Sequence, residues 1–156
     1  MVDAFPEHAD AFRARSANLT GRLIELDQAF HAGLATCEIR VAVTNHAAFG
    51  YMAARYNFTL IPINGLDPES EPTPATLQRV IEEVKRHNVT VVYFEDLVSP
   101  AVAQVVAREA GATTRVLSPV EGIPDDEAAA GADYFTKMRG DLAALQEGMR
   151  CQASST

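Results

Sequence analysis

Long apolar runs are missing from this 156-residue chain: none approaches the ~20 residues a transmembrane helix needs. No basic segment precedes an apolar core at the start, so no signal peptide is expected. Met1-Val2-Asp3-Ala4-Phe5-Pro6 leads straight into a helical pattern and reads as an initiator methionine set on a cut chain. Positive charge is also scarce, with 13 Lys and Arg against 21 Asp and Glu and no basic run. That excludes the counterion-displacing patch that nucleic-acid binding needs. The acidic balance suits cation traffic, although solubility is its commoner cause. The sequence has no GxGxxG, no Walker A loop and no GxSxG elbow, so the main phosphate-binding and acyl-transfer readings lose their motifs. The acidic loop Asn64–Thr73, with Asp67, Glu69 and Glu71, lacks the alternating acids and terminal Glu of a calcium-binding EF-hand.

Cysteine is scarce too. Cys37 and Cys151 bracket nearly all of the strand-forming sequence. In a cytosolic chain two such residues are ordinarily buried thiols. In an exported one they pair, closing a loop worth ~4–5 kcal/mol in the chain-entropy model. The residues alone leave both states open.

What is present reads as a single α/β unit. Glu7 to Gly33 forms one helical stripe, with Phe5, Phe12, Leu19 and Leu26 at seven-residue spacing and Leu23, Phe30 and Leu34 filling it. Such a helix is roughly 40 Å long, more than a small α/β lobe is wide, so it either overhangs the lobe or packs against a further domain, and the length is a clue to such a partner. From Glu38 onward strands and helices alternate. The predicted strands are Ile39–Val43, Phe58–Ile63, Val89–Phe94 and Thr113–Leu117, with Pro62 marking the second as an edge. The predicted helices run from Ala47 to Tyr56, from a Thr73 cap and Pro74 to His87, from Ser99-Pro100 to a left-handed stop at Gly111, and from Asp126 to Gly148. Gln152 to Thr156 should be disordered. Four βα units in series imply a four-stranded parallel sheet with helices on both faces, here in the order 2-1-3-4 and preceded by the long helix.

In open sheets of this kind ligands bind beyond the carboxyl ends of the strands. There the sequence places Thr44-Asn45-His46, then Glu95-Asp96, then Ser118-Pro119-Val120-Glu121. Imidazole and carboxylate together make a partial ligand set for Zn²⁺. The plainer reading of His46 is a rim histidine, and that of Glu95 and Asp96 is solvated capping ahead of the next helix. His8, His31 and His87 read as surface residues on helices without ligand-like neighbours. An intracellular enzyme domain using the rim carboxylates as acid and base lacks a nucleophile and an oxyanion hole. Cys37 lies before the first strand, at the wrong end for His46.

The motifs say more. Thr44-Asn45-His46-Ala47-Ala48-Phe49-Gly50-Tyr51 resembles the T-S-H-x-A-F-G-Y segment of the zinc- and manganese-type ABC-transporter solute-binding proteins. Gly65 to Pro74 resembles their G-L-x-P-E-x-E-P-[ST]-P loop, and Tyr93 to Pro100 their F-F-E-x-L-V-S-P segment. Leu117 to Gly122 resembles L-N-P-L-E-G, and Tyr134-Phe135-Thr136-Lys137-Met138-Arg139 also fits. The resemblance implies two α/β lobes joined by one long helix, with the metal between them. Residues 1–36 would then be the connector, 37–150 the C-terminal metal-binding lobe and 151–156 a tail, the N-terminal lobe with two further histidines being absent.

His46 matches the third ligand position, where histidine is typical of the zinc branch and glutamate of the manganese branch. Glu121 matches the completing carboxylate, although other members carry an Asp where this chain has Ser118. The implied role is non-enzymatic: extracytoplasmic capture of zinc, in the periplasm or on a lipoprotein, and its delivery to a membrane ABC permease. Manganese carriage and a surface adhesin binding host components are the alternatives. The exported setting also favours a Cys37–Cys151 bridge. With only His46 and Glu121 available, the chain alone should bind zinc weakly, and its uncovered helix surface makes self-association an expectation.

Overall fold

The structure is a computed structural model, and it describes residues 1–67 and 70–152. After a 3-10 turn at Pro6–His8 the elements are α1 (Ala9–Gly33), β1 (Val41–Thr44), α2 (Gly50–Tyr56), β2 (Thr59–Pro62) and α3 (Pro74–Arg86). They continue with β3 (Val91–Phe94), α4 (Ala101–Ala110), β4 (Thr113–Val116), α5 (Asp125–Ala129) and α6 (Tyr134–Gly148). The four strands pair in parallel in the order β2-β1-β3-β4, as the alternation of elements requires. The reversal between β1 and β3 opens the crevice at the carboxyl rim.

Strand alternation sorts the core. Ala42, Val91 and Tyr93 face α1 and α6, where they meet Leu26, Phe30, Leu34, Phe135, Leu145 and Met149. Val41, Val43 and Val92 face α3 and α4, against Val80, Val84, Ala103 and Val106. β1 is buried along its whole length, which fits a central parallel strand covered on both sides. Gly148 is where α6 comes nearest to β3. A Cβ there would lie 2.1 Å from Tyr93 Oη and 2.9 Å from Val91 Cβ, so only glycine permits this approach. Tyr93 Oη uses the closeness to donate to the Ala144 carbonyl at 3.1 Å.

Several expected elements end differently. The final helix is two: α5 stops before Gly131, which adopts φ 91°, and Asp133 then caps α6 by accepting from the Thr136 N–H at 2.8 Å. Glycine in a left-handed turn ends the first helix and a capping aspartate starts the second, where one helix over Asp126–Gly148 was expected. α2 begins at Gly50 rather than Ala47, because the chain from His46 is tied into the loops. The predicted α1 stripe is buried only from Leu26 onward, while Phe5, Leu19 and Leu23 are exposed.

At the amino rim Cys37 and Cys151 form a disulfide, and Gln152 N–H donates to the Thr36 carbonyl at 2.9 Å, so the first two residues assigned to the tail are held. The rest of that segment, 153–156, lies outside the described residues. So do Pro68 and Glu69 of the acidic loop. Arg40 clasps the same rim, donating to the carbonyls of Leu34 at the end of α1 and of Tyr56 and Asn57 at the end of α2. A guanidinium at two helix C-termini satisfies carbonyls that lack intrahelical partners.

Candidate metal centre

The rim is assembled by backbone links between loops that are far apart in sequence. Asn45 N–H donates to the Tyr93 carbonyl at 3.0 Å, Asn64 N–H to Asn45 at 2.8 Å, and Ala47 N–H to Gly65 at 2.9 Å. Thr44 Oγ1 donates to the His46 carbonyl at 2.7 Å and turns the chain as it leaves β1. His46 is thereby fixed with 5% of its surface exposed.

Its partner is Glu95, itself 4% exposed, whose Oε1 contacts His46 Nδ1. Glu95 and Asp96 are therefore not solvated capping residues. The end of β3 directs Glu95 to His46, and directs Asp96 to Ser118 Oγ at 3.1 Å and Lys137 Nζ at 2.5 Å. Burial raises the Glu95 carboxyl above its usual range, and the His46 imidazole offsets only part of that rise. With Glu95 as a carboxylate acceptor at Nδ1, the ring proton would sit there and the Nε2 lone pair would be left free.

Glu121 is exposed and lines the same open pocket as His46, along with Ala47, Tyr51, Leu66 and Pro119. The preceding Val120 sits at φ 57°, a left-handed conformation that a β-branched residue adopts only when its surroundings impose it. The constraint comes from Ser118. Its N–H donates to Asp141 Oδ1 at 2.8 Å, and its hydroxyl accepts from Val120 N–H at 3.2 Å. Asp141 is buried on α6, and desolvation raises its carboxyl to about 7.

The structure thus brings His46 and Glu121 to one pocket and adds Glu95 behind the histidine. It places Ser118, buried, as a hydrogen-bonding hub. Asp141 and Lys137 escaped the sequence reading as site residues. Their signal was an ionisable pair four apart on one helix face, which a solvated surface helix shows equally well. His8, His31 and His87 are exposed but each has a carboxylate neighbour on its own segment: Glu7 at 3.8 Å, Asp27 at 3.8 Å and Glu83 at 3.3 Å respectively. Among the described residues no three His, Cys, Asp or Glu side chains converge to hold a metal ion. The donors at the rim fit a borderline cation such as Zn²⁺, but they supply at most half a tetrahedral shell.

The four-stranded parallel sheet with its covering helices matches a lobe of solute-binding proteins of known structure. The chain belongs to the ZnuA family, described as zinc-uptake complex component A, periplasmic, whose profile matches residues 1–148. It is 42% identical over 146 residues to the zinc-binding protein AdcA of Streptococcus pyogenes serotype M6, covering 94% of this chain and 28% of that protein. Among solved structures it is similar to the Zn(II)-bound ZnuA-like domain of Streptococcus pneumoniae AdcA, with 34% identity and a TM-score of 0.79 over 95% of this chain and 55% of that one. It is also similar to the laminin-binding protein Lbp of Streptococcus pyogenes, with 28% identity and a TM-score of 0.84 over 95% of this chain and 57% of that one. The chain therefore spans little more than a quarter of its AdcA relative and just over half of each of these structures.

Proposed function

We propose that this chain supplies the carboxyl-rim half of an extracytoplasmic zinc-capture site, and that the protein it belongs to passes the ion to a membrane ABC permease. The observation that carries the reading is His46: it is buried, held through Nδ1 by Glu95, and shares its pocket with Glu121. Zinc-ligating histidines are ordinarily oriented in this way by a carboxylate behind them. In this reading His46 Nε2 and a Glu121 oxygen are ligands, two further histidines come from an N-terminal lobe, and residues 1–36 connect that lobe to the one formed by 37–150. The exposed Leu19, Leu23 and Ile24 on α1 would then be covered by that lobe, or by a second copy where the lobe is lacking. The ion is cargo, bound and released without chemistry. Imidazole in the ligand set favours zinc over manganese, which prefers carboxylate and carbonyl oxygen.

Competition with a chromogenic chelator tests the assignment, comparing the two-lobed protein with its His46→Ala variant. A loss of at least roughly tenfold in zinc affinity is expected, and unchanged affinity would remove His46 from the site. The chain by itself should bind zinc only weakly, because two ligands leave half the shell to water. Micromolar or tighter binding by the isolated monomer at neutral pH would contradict that division of the ligands.

A second reading, a surface adhesin, is favoured by the similarity to the laminin-binding protein Lbp. Saturable retention on immobilised laminin, independent of zinc and of His46, would support it over capture alone.

A further inference from the structure

Glu121 poses a physical problem that His46 does not. It is an exposed carboxylate on the loop after β4, behind a proline and a strained valine, and a ligand that swings loses affinity to conformational entropy. What restrains that loop is a set of buried polar contacts centred on Ser118. Its N–H is held by Asp141 Oδ1 at 2.8 Å, and its hydroxyl donates to Asp96 Oδ1 at 3.1 Å while accepting from Val120 N–H at 3.2 Å. Lys137 Nζ closes the set, 2.5 Å from Asp96 Oδ2 and 2.8 Å from Glu127 Oε2. Ser118 and Asp141 are almost wholly buried, so these bonds are shielded from competing water.

We infer that Ser118, Asp141 and Asp96 form a latch whose function is to position Glu121 for the ion; this rests on the zinc-capture reading above. The bond from Ser118 Oγ to Val120 N–H favours the left-handed turn that presents Glu121, and Asp141 and Asp96 fix Ser118 to α6 and to the end of β3. Glu95 and Asp96 then divide the work between them. Glu95 orients the histidine of the site and Asp96 the loop that carries its carboxylate, so both donors are referred to one dipeptide at the end of β3. Ser118 acts as a positioning residue here, with no contact to the ion.

The test is a ¹⁵N-NMR titration of the chain with zinc chloride, with backbone order of residues 119–122 measured first in the metal-free protein. Ser118→Ala and Asp141→Ala should each loosen that segment and weaken zinc roughly tenfold, the usual loss when a supporting group behind a ligand is removed. Asp141→Asn should keep both properties, because its amide oxygen still accepts from Ser118 N–H. In a Glu121→Gln background Ser118→Ala should cost no further affinity, since two changes acting through one ligand are not additive. Unaltered loop order in both alanine variants, or an equal affinity loss with and without Glu121, would overturn the latch. If Asp141→Ala does not fold, Ser118→Ala decides alone, as it leaves the core intact. If zinc shifts no resonance near His46 or Glu121 in the wild type, the zinc reading fails, and loop order in the metal-free variants still decides whether the latch exists.

Discussion

At the amino rim of the sheet the chain is held by a disulfide, an arginine clasp on backbone carbonyls and a glycine that lets α6 touch β3. The carboxyl rim of the same sheet is built from buried polar side chains, and Asn45 Oδ1, Asn64 Oδ1 and Asp141 Oδ2 have no protein partner there. Each buried polar atom without a partner costs about 1–3 kcal/mol unless water reaches it. One end of the lobe therefore stabilises the fold while the other spends stability on side-chain placement. That division suits the zinc-capture role proposed for this face, whose donors would have to be fixed without all being satisfied internally.

Removing the disulfide should break the comparison most severely. Cys37 and Cys151 are 114 residues apart, and replacing both with serine removes a cross-link worth ~4–5 kcal/mol in the chain-entropy model. Urea unfolding should show that loss, with the zinc response of His46 unchanged in whatever fraction stays folded. A loss at the rim donors of equal size would mean that the two ends are not independent.

The carboxyl rim should reveal its cost through pH. Burial lifts Asp141 from an ordinary 3.8 to about 7, so between these values the folded chain keeps a proton that the unfolded chain releases. The stabilisation from this group is complete below about pH 4 and is lost as pH rises through 7. Relative to Asp141→Asn, the wild type should lose roughly 2–3 kcal/mol between pH 4 and 8, less than the full shift implies because water entry relaxes a buried charge. Parallel stability curves for the two proteins would show that Asp141 ionises freely.

Gly148→Ala sharpens the picture at the amino rim with a smaller effect. Alanine favours a helix intrinsically, yet its Cβ would collide with Tyr93 Oη and Val91. A net destabilisation of about 1–3 kcal/mol is expected from overpacking, read as a shift in urea midpoint. A stabilised variant would show that α6 can withdraw from β3 without penalty.

The parallel order of the strands was legible because β-branched runs alternated with capped helical segments. Thr73 caps α3 as its position before Pro74 indicated, its Oγ1 accepting from Thr76 N–H at 3.2 Å. The single helix expected over Asp126–Gly148 passes over the stop at Gly131 and the start at Asp133, whose left-handed turn and side-chain cap divide it into α5 and α6. His46 and Glu121 were singled out at the strand ends and through motif resemblance together. Glu95 was in view but assigned to capping, since an acidic residue ahead of a helix start has that meaning far more often than any other. Asp141 was invisible as a site residue: its burial depends on which face of α6 turns toward β4.

By itself the sequence determined the sequential order of strands and helices, the parallel sheet and the loops on which a histidine and carboxylates would emerge. These follow from local periodicity, capping and turn chemistry, which act over a few residues. Only the tertiary structure decided that Glu95 goes to His46 while its neighbour Asp96 goes to Ser118, and that Asp141 is buried beneath the loop of Glu121. Those outcomes rest on contacts between segments 22 to 49 residues apart. No local pattern specifies them, because the partner of a polar side chain is set by how whole elements pack.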